Sequence, residues 1–158
     1  MASLAYIALG SNLGDRRGAL DGAIAALVGT AGVVVRKVSS FHETEPVGGP
    51  PGQGLFLNAA AVLETTLDPF ELLQVLQQIE ARFGRVRTVR WGERALDLDL
   101  LLFGDQVVAT PELVIPHPHM AERLFVLAPL AEIAPDAIDP VTNQTIIGML
   151  AGLEGRQR

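Results

Sequence analysis

Cysteine is absent from this chain. Disulfides and thiolate metal sites are therefore excluded, and any bound metal must be held by oxygen or imidazole. Lysine occurs once, as Lys37, within the β-branched run VVVRKV. With no lysine behind a glycine-rich turn there is no phosphate-cradling P-loop. GSNLGD (10–15) lacks the G-x-G-x-x-G spacing of a dinucleotide fingerprint, and the protein-kinase signature set and Ser- or Cys-based nucleophile motifs are missing too. No apolar run is long enough to span a bilayer. The opening MASLAYIALGSN has no basic residues ahead of its apolar stretch and reads as a first strand, not a signal peptide. The expectation is a cytoplasmic protein with no membrane partner.

The net charge of −6 argues against general nucleic-acid binding. Hydrophobic residues make up 49% of the 158, enough to exclude disorder and to predict a single domain over 1–158 with a sizeable core. The basic residues are uneven. Five of the 12 (Arg82, Arg85, Arg87, Arg90 and Arg94) fall within residues 82–94, accompanied by one acid, Glu93. Such a cluster in an acidic chain suits a small anionic ligand better than a long polyanion; the plain alternative is a solvated loop.

Residues 3–9 read as a strand, GSNLGD as a loop, and 16–29 as a helix capped by Asp15. Residues 33–43 are strand-like, PVGGPPGQG (46–54) is a loop, and 55–65 form another strand. Asp68, Pro69 and Glu71 mark a helix start. Its buried stripe is Leu72, Leu73, Leu76 and Ile79, and Gly84 stops it. A strand follows at 95–103, and short helical pieces fill the last third, ending in a helix near 145–153. The order β-α-β-β-α-β is that of a ferredoxin-like α+β fold: an antiparallel sheet with helices on one face, here with C-terminal helical additions.

Within RWGERALDLDLLLFG (90–104), alternation sends Leu96, Leu98, Leu100 and Leu102 to the helix-covered core. Asp97 and Asp99 face the other way, roughly 6.5–7 Å apart along the strand, with Leu101 and Phe103 beyond them. Two adjacent carboxylates call for a cation. Arg94 is one candidate; a pair of divalent ions is another, and oxygen-only ligands favour Mg²⁺ or Mn²⁺ over zinc. Next to an arginine loop, such carboxylates make a polyphosphate site. The bland reading is a polar outer face of an ordinary strand. Asn58, a polar residue inside the apolar strand FLNAA, also points to function, and a loop as long as 46–54 is often functional in a compact domain.

YIALGSNLGD, SSFHETEPVG with FLNAA, GRVR…RWGERALDLDLLLFG and PHPHMAERLFVLAPLAEIAPD occur in this order along nearly the whole chain. Together they resemble the 6-hydroxymethyl-7,8-dihydropterin pyrophosphokinase family of folate synthesis, whose fold is ferredoxin-like. The resemblance implies pyrophosphate transfer from ATP to the pterin hydroxymethyl group with release of AMP, assisted by two Mg²⁺ ions. It makes Asp97 and Asp99 the metal ligands, and Arg85 and Arg94 the groups on the transferred phosphates. Phe56 and Phe125 would sandwich the pterin. Asn58, Thr44 and the segment Glu45, Pro46 and Val47 would line its edges. Gln77, Glu80, Arg87, Arg90, Trp91, His117 and Arg123 would surround ATP, Trp91 as part of a closing lid. His42 and His119 are left as surface residues. The partners implied are small molecules acting on a monomer.

Two rival classes differ in sequence terms. An RNA-binding sheet would show paired aromatics and a basic face where this chain shows aspartates. Another metal-dependent phosphoryl or nucleotidyl transferase would share the carboxylates without needing Phe56, Asn58 and Phe125.

Overall fold

The structure, a computed structural model, describes residues 1–45, 54–83 and 95–156. Its first strand, β1 (Ser3–Ser11), is buried along most of its length. It is followed by α1 (Arg16–Val28), β2 (Val33–Val38), β3 (His42–Thr44), β4 (Phe56–Thr65), α2 (Pro69–Arg82) and β5 (Asp97–Phe103). These strands form one antiparallel sheet in the order β2-β4-β1-β5, with β3 also paired to β4. This is the ferredoxin-like arrangement. The remainder comprises a small hairpin of β6 (Val108–Ala109) and β7 (Val114–Ile115), a 3₁₀ turn at Met120–Glu122, α3 (Leu124–Ile133) and α4 (Ile146–Arg156). No helix among the described residues is long and apolar enough to cross a membrane.

Local chemistry sets the helix starts. The Asp15 carboxylate accepts from the Gly18 N–H at 3.0 Å. Asp68 and Glu71 form a reciprocal capping box ahead of Pro69. A cap of this kind contributes about 1 kcal/mol.

The two sheet faces carry separate cores. On the first, Ile7, Leu9, Leu63, Leu98 and Leu100 meet Leu20 and Leu27 of α1 and Leu72, Leu76 and Ile79 of α2. On the second, Ala8, Ala60, Leu101 and Leu102 meet Val126, Leu127 and Leu130 of α3 and Met149 and Leu153 of α4. The C-terminal additions thus cover part of the face that α1 and α2 leave bare.

Three sequence expectations need correction. Gly10 and Ser11, assigned to a loop, are the last residues of β1. Residues 33–43 are not one strand: His42 and Val38 pair with Asn58 and Ala61, so four steps run against three. The chain bends at Ser39, whose hydroxyl accepts the Ala60 N–H. Third, Ile7 pairs with Leu100 but Tyr6 with Leu102, so Leu101 is an extra residue in a β-bulge. Alternation resets there. Leu102 joins Leu101 in the second core, and Phe103, expected beside the aspartates, packs in the first.

The bend after β2 is tied to α3 through one carboxylate. Glu132 accepts from the Ser40 N–H and the Ser40 hydroxyl, both at 2.6 Å, and lies 3.0 Å from His42 Nε2. His42, expected as a bare surface residue, is half-buried and held here. The Ser40 hydroxyl, then its N–H, then His42, pull the Glu132 carboxyl down to about 2. Its folded pKa lies below the unfolded one, so its contribution to stability is present above the ordinary carboxylate value and is lost as pH falls toward 2. Denaturant midpoints measured from pH 5 to pH 2 should therefore fall less steeply for Glu132→Gln than for the wild type.

Candidate active site

Burial of Leu96, Leu98 and Leu100 leaves Asp97 and Asp99 half-buried on the second face, ahead of the bulge. Strand pairing then dictates their neighbours. Asp97 lies opposite Gly10 and Asp99 opposite Ala8 on β1. On the other side of β1, Gly10 pairs with Asn58 and Ala8 with Ala60. Asn58 and Asp97 therefore flank Gly10 two strands apart, roughly 10 Å by ordinary strand spacing. Phe56 shares the Asn58 face, and Thr44 of β3 is its cross-strand partner.

Asn58 is 5% exposed, so its amide must be bonded within the protein. Its Nδ2 donates to Thr44 Oγ1 at 2.5 Å. Its Oδ1 faces Gly10: a Cβ there would come within 3.1 Å of that oxygen and 3.8 Å of the Phe56 ring. Gly10 thus makes a bare floor between the amide and the carboxylates. Sequence reading missed it, although a glycine inside an apolar strand signals close approach of another group.

His117, Arg123 and Phe125 form the rim beside α3. The His117 backbone N–H donates to the Leu101 carbonyl at 3.0 Å, tying the main chain of this residue to β5. Its Nδ1 accepts from the His119 N–H, and its Nε2 lies 4.0 Å from Asp99 Oδ1. Burial, then the Arg123 charge, pushes His117 down to about 4. The ring is therefore neutral at pH 7, and its proton sits on Nε2, facing Asp99. The Arg123 guanidinium lies 5.7 Å from the centre of the half-buried Phe125 ring.

Thr44, Phe56, Asn58, Asp97, Asp99, His117, Arg123 and Phe125 thus belong to one side of the sheet. Glu45 is exposed just after β3. Gln77 and Glu80, expected around the nucleotide, are carried by α2, which packs on the first face. Gln77 is exposed, while Glu80 is buried and accepts from the Leu98 N–H at 2.8 Å. Pro46, Val47, Arg85, Arg87, Arg90, Trp91 and Arg94 lie outside the described residues.

Among the described residues no group of three or more His, Cys, Asp or Glu converges to cage a metal. Asp97 and Asp99 instead offer two oxygen ligands on a half-open face. That donor set fits Mg²⁺, which binds through one or two carboxylates and keeps water or substrate phosphate for its remaining positions.

Fold and patch together define the class: a ferredoxin-like α+β protein carrying paired carboxylates, a buried amide and aromatic side chains on one sheet face. The chain belongs to the 7,8-dihydro-6-hydroxymethylpterin-pyrophosphokinase family, whose sequence profile matches residues 6–135. It is 57% identical over 133 residues to the 2-amino-4-hydroxy-6-hydroxymethyldihydropteridine pyrophosphokinase of Bacillus subtilis, covering 84% of this chain and 79% of that protein. It is 46% identical over 146 residues to the protein of the same name from Synechocystis, covering 92% and 74%. A crystal structure of Plasmodium falciparum HPPK-DHPS with pteroate shares the fold, with a TM-score of 0.78 at 17% identity over 99% of this chain. The present chain spans 43% of that longer one. By family, the protein is an ATP-dependent pyrophosphokinase, a transferase of folate biosynthesis.

The bare floor yields a test that needs no substrate. Gly10→Ala should shift the Asn58 side-chain amide resonances in a ¹⁵N-correlated spectrum, with those of distant Asn143 unmoved. Unchanged Asn58 signals would mean that the floor tolerates a methyl group.

Proposed function

We propose that the protein transfers the pyrophosphoryl group of ATP to the hydroxymethyl oxygen of 6-hydroxymethyl-7,8-dihydropterin. The oxygen attacks the β-phosphorus in line, the bond from that phosphorus to the α–β bridging oxygen breaks, and AMP leaves with that oxygen. What supports this reading above all is the placement of Asn58 and Asp97 on either side of Gly10. A flat heterocycle held at Asn58 directs a substituent across the glycine floor toward the carboxylates.

On this reading Phe56 and Phe125 stack on the two ring faces. Asn58 Oδ1 accepts from a ring N–H, and the Thr44 hydroxyl, already accepting from Asn58, turns its own hydrogen to the ring edge. Glu45, Pro46 and Val47 line the other edge. Arg85 and Arg94 hold the transferred phosphates and meet charge that grows in the transition state. Arg87, Arg90, Arg123 and Gln77 bind the nucleotide, and Trp91 closes over it, excluding the water that competes with the acceptor hydroxyl. His117, neutral and with its Nδ1 accepting from the His119 N–H, keeps its Nε2 proton toward Asp99 without adding charge. Two Mg²⁺ ions held by Asp97 and Asp99 would neutralise phosphate charge and make the acceptor hydroxyl more acidic.

The direct test is a product assay. Purified protein with ATP, Mg²⁺ and the pterin should release AMP in step with a pyrophosphorylated pterin; ADP as product would assign a different transfer. Asp97→Asn and Asp99→Asn should each lower kcat by about 100-fold or more while leaving the circular dichroism unchanged. Phe125→Ala should raise the pterin KM about 5- to 150-fold, the equivalent of ~1–3 kcal/mol of stacking. A KM within twofold of wild type would remove Phe125 from the pocket.

A further inference from the structure

Glu80 is 5% exposed, although α2 offers many positions from which a carboxylate reaches water. Burying such a group is costly unless it is well bonded. Its Oε2 accepts the Leu98 N–H at 2.8 Å. Among the described residues β5 pairs with β1 alone and stands at the end of the sheet order. Glu80 therefore supplies to that edge the acceptor that a further strand would otherwise provide.

The position of this bond matters. Leu98 lies between Asp97 and Asp99, and its N–H belongs to the peptide that joins it to Asp97. Fixing that peptide plane restricts ψ of Asp97 and φ of Leu98, the torsions that set how the two carboxylates stand relative to each other. Leu98, buried in the first core, anchors the same residue from its side chain. The pair is thus held from behind by α2, through a bond made on the edge of the strand.

We propose that Glu80 is a positioning residue: its hydrogen bond to the Leu98 N–H holds Asp97 and Asp99 in the orientation that binds divalent cation. This replaces a direct contact with ATP as its main role, and it rests on the reading of Asp97 and Asp99 as the cation ligands. The working element is the acceptor at that distance, not the negative charge.

Two variants separate these possibilities. Glu80→Gln keeps the length and a carbonyl acceptor but loses the charge. Glu80→Asp keeps the charge but is one methylene too short. The probe is Mn²⁺, titrated by water-proton relaxation into the full chain with a non-hydrolysable ATP analogue; amide exchange at Leu98 is followed in parallel. Glu80→Asp should weaken Mn²⁺ binding about 10- to 100-fold, the range for loss of a group that orients metal ligands, and should speed Leu98 exchange. Glu80→Gln should stay within about threefold of wild type in both. A merely structural role would lower the thermal midpoint of Glu80→Asp and leave Mn²⁺ affinity, measured at about 20 °C on folded protein, unmoved, which overturns the proposal. So does a folded Glu80→Gln as impaired as Glu80→Asp, a result that also decides the matter should Glu80→Asp fail to fold. Turnover keeps the two readings apart. A wild type that binds Mn²⁺ but makes no pterin-dependent AMP defeats the proposed reaction and leaves the Glu80 comparison intact. AMP formation by Glu80→Asp at the wild-type rate defeats the positioning role and leaves the reaction standing.

Discussion

β1 is hydrogen-bonded on both sides, to β4 along Ser3–Ser11 and to β5 along Ala5–Gly10. The polar groups of the two flanking strands are aligned through their common partner strand. Asn58 and Asp97 are brought into relation because both are registered against Gly10. Strand side chains alternate with a period of two, so a slip of one residue in either ladder would turn an entire polar row into the core. The apolar halves of the same strands guard against this. Ile7, Leu9, Leu63, Leu98 and Leu100 are buried under α1 and α2, and each such side chain stabilises its register by about 1.5–3 kcal/mol. The polar patch is thus kept in alignment by hydrophobic residues that point away from it.

The second face is divided between two tasks. Toward the C-terminal end of β5 it is dry and closed by α3 and α4; toward the N-terminal end it carries Asp97, Asp99 and Asn58. His117 stands at the border, bonded to the Leu101 carbonyl and facing Asp99. Its neutrality follows from this position, since burial and the Arg123 charge both oppose a proton there. The C-terminal helices therefore supply both the lid of a hydrophobic core and one wall of the candidate site, with Phe125 and Arg123 entering at the start of α3.

Most of the strand and helix order was legible because it rests on short-range signals. The Leu/Asp alternation announced which face the carboxylates take, and Asp68, Pro69 and Glu71 announced where α2 begins. Asn58 was visible as a polar residue in an apolar strand. What escaped depends on partners distant in sequence. The break at Ser39–Phe41 is made by the Ala60 backbone and by Glu132 on α3. The burial of Glu80 answers the need of an edge strand, which no helical periodicity encodes. The bulge in β5 exists only relative to β1, so strict alternation carried Leu102 and Phe103 to the wrong faces.

That bulge gives the strand a phase change. Before Leu101 the odd-numbered residues look toward the second face; after it the parity reverses, and Phe103 returns beneath α1 and α2. Deleting Leu101 would remove the extra residue and leave Leu100 and Leu102 opposite Ile7 and Tyr6 in an unbroken ladder, with Leu102 and Phe103 on the faces they occupy now. β5 thus runs as two short segments in tandem, one carrying the two aspartates and one closing the sheet. The bulge acts as slack in the strand: a one-residue deletion at Leu101 is absorbed there, with the faces of Asp97, Asp99 and Phe103 unchanged.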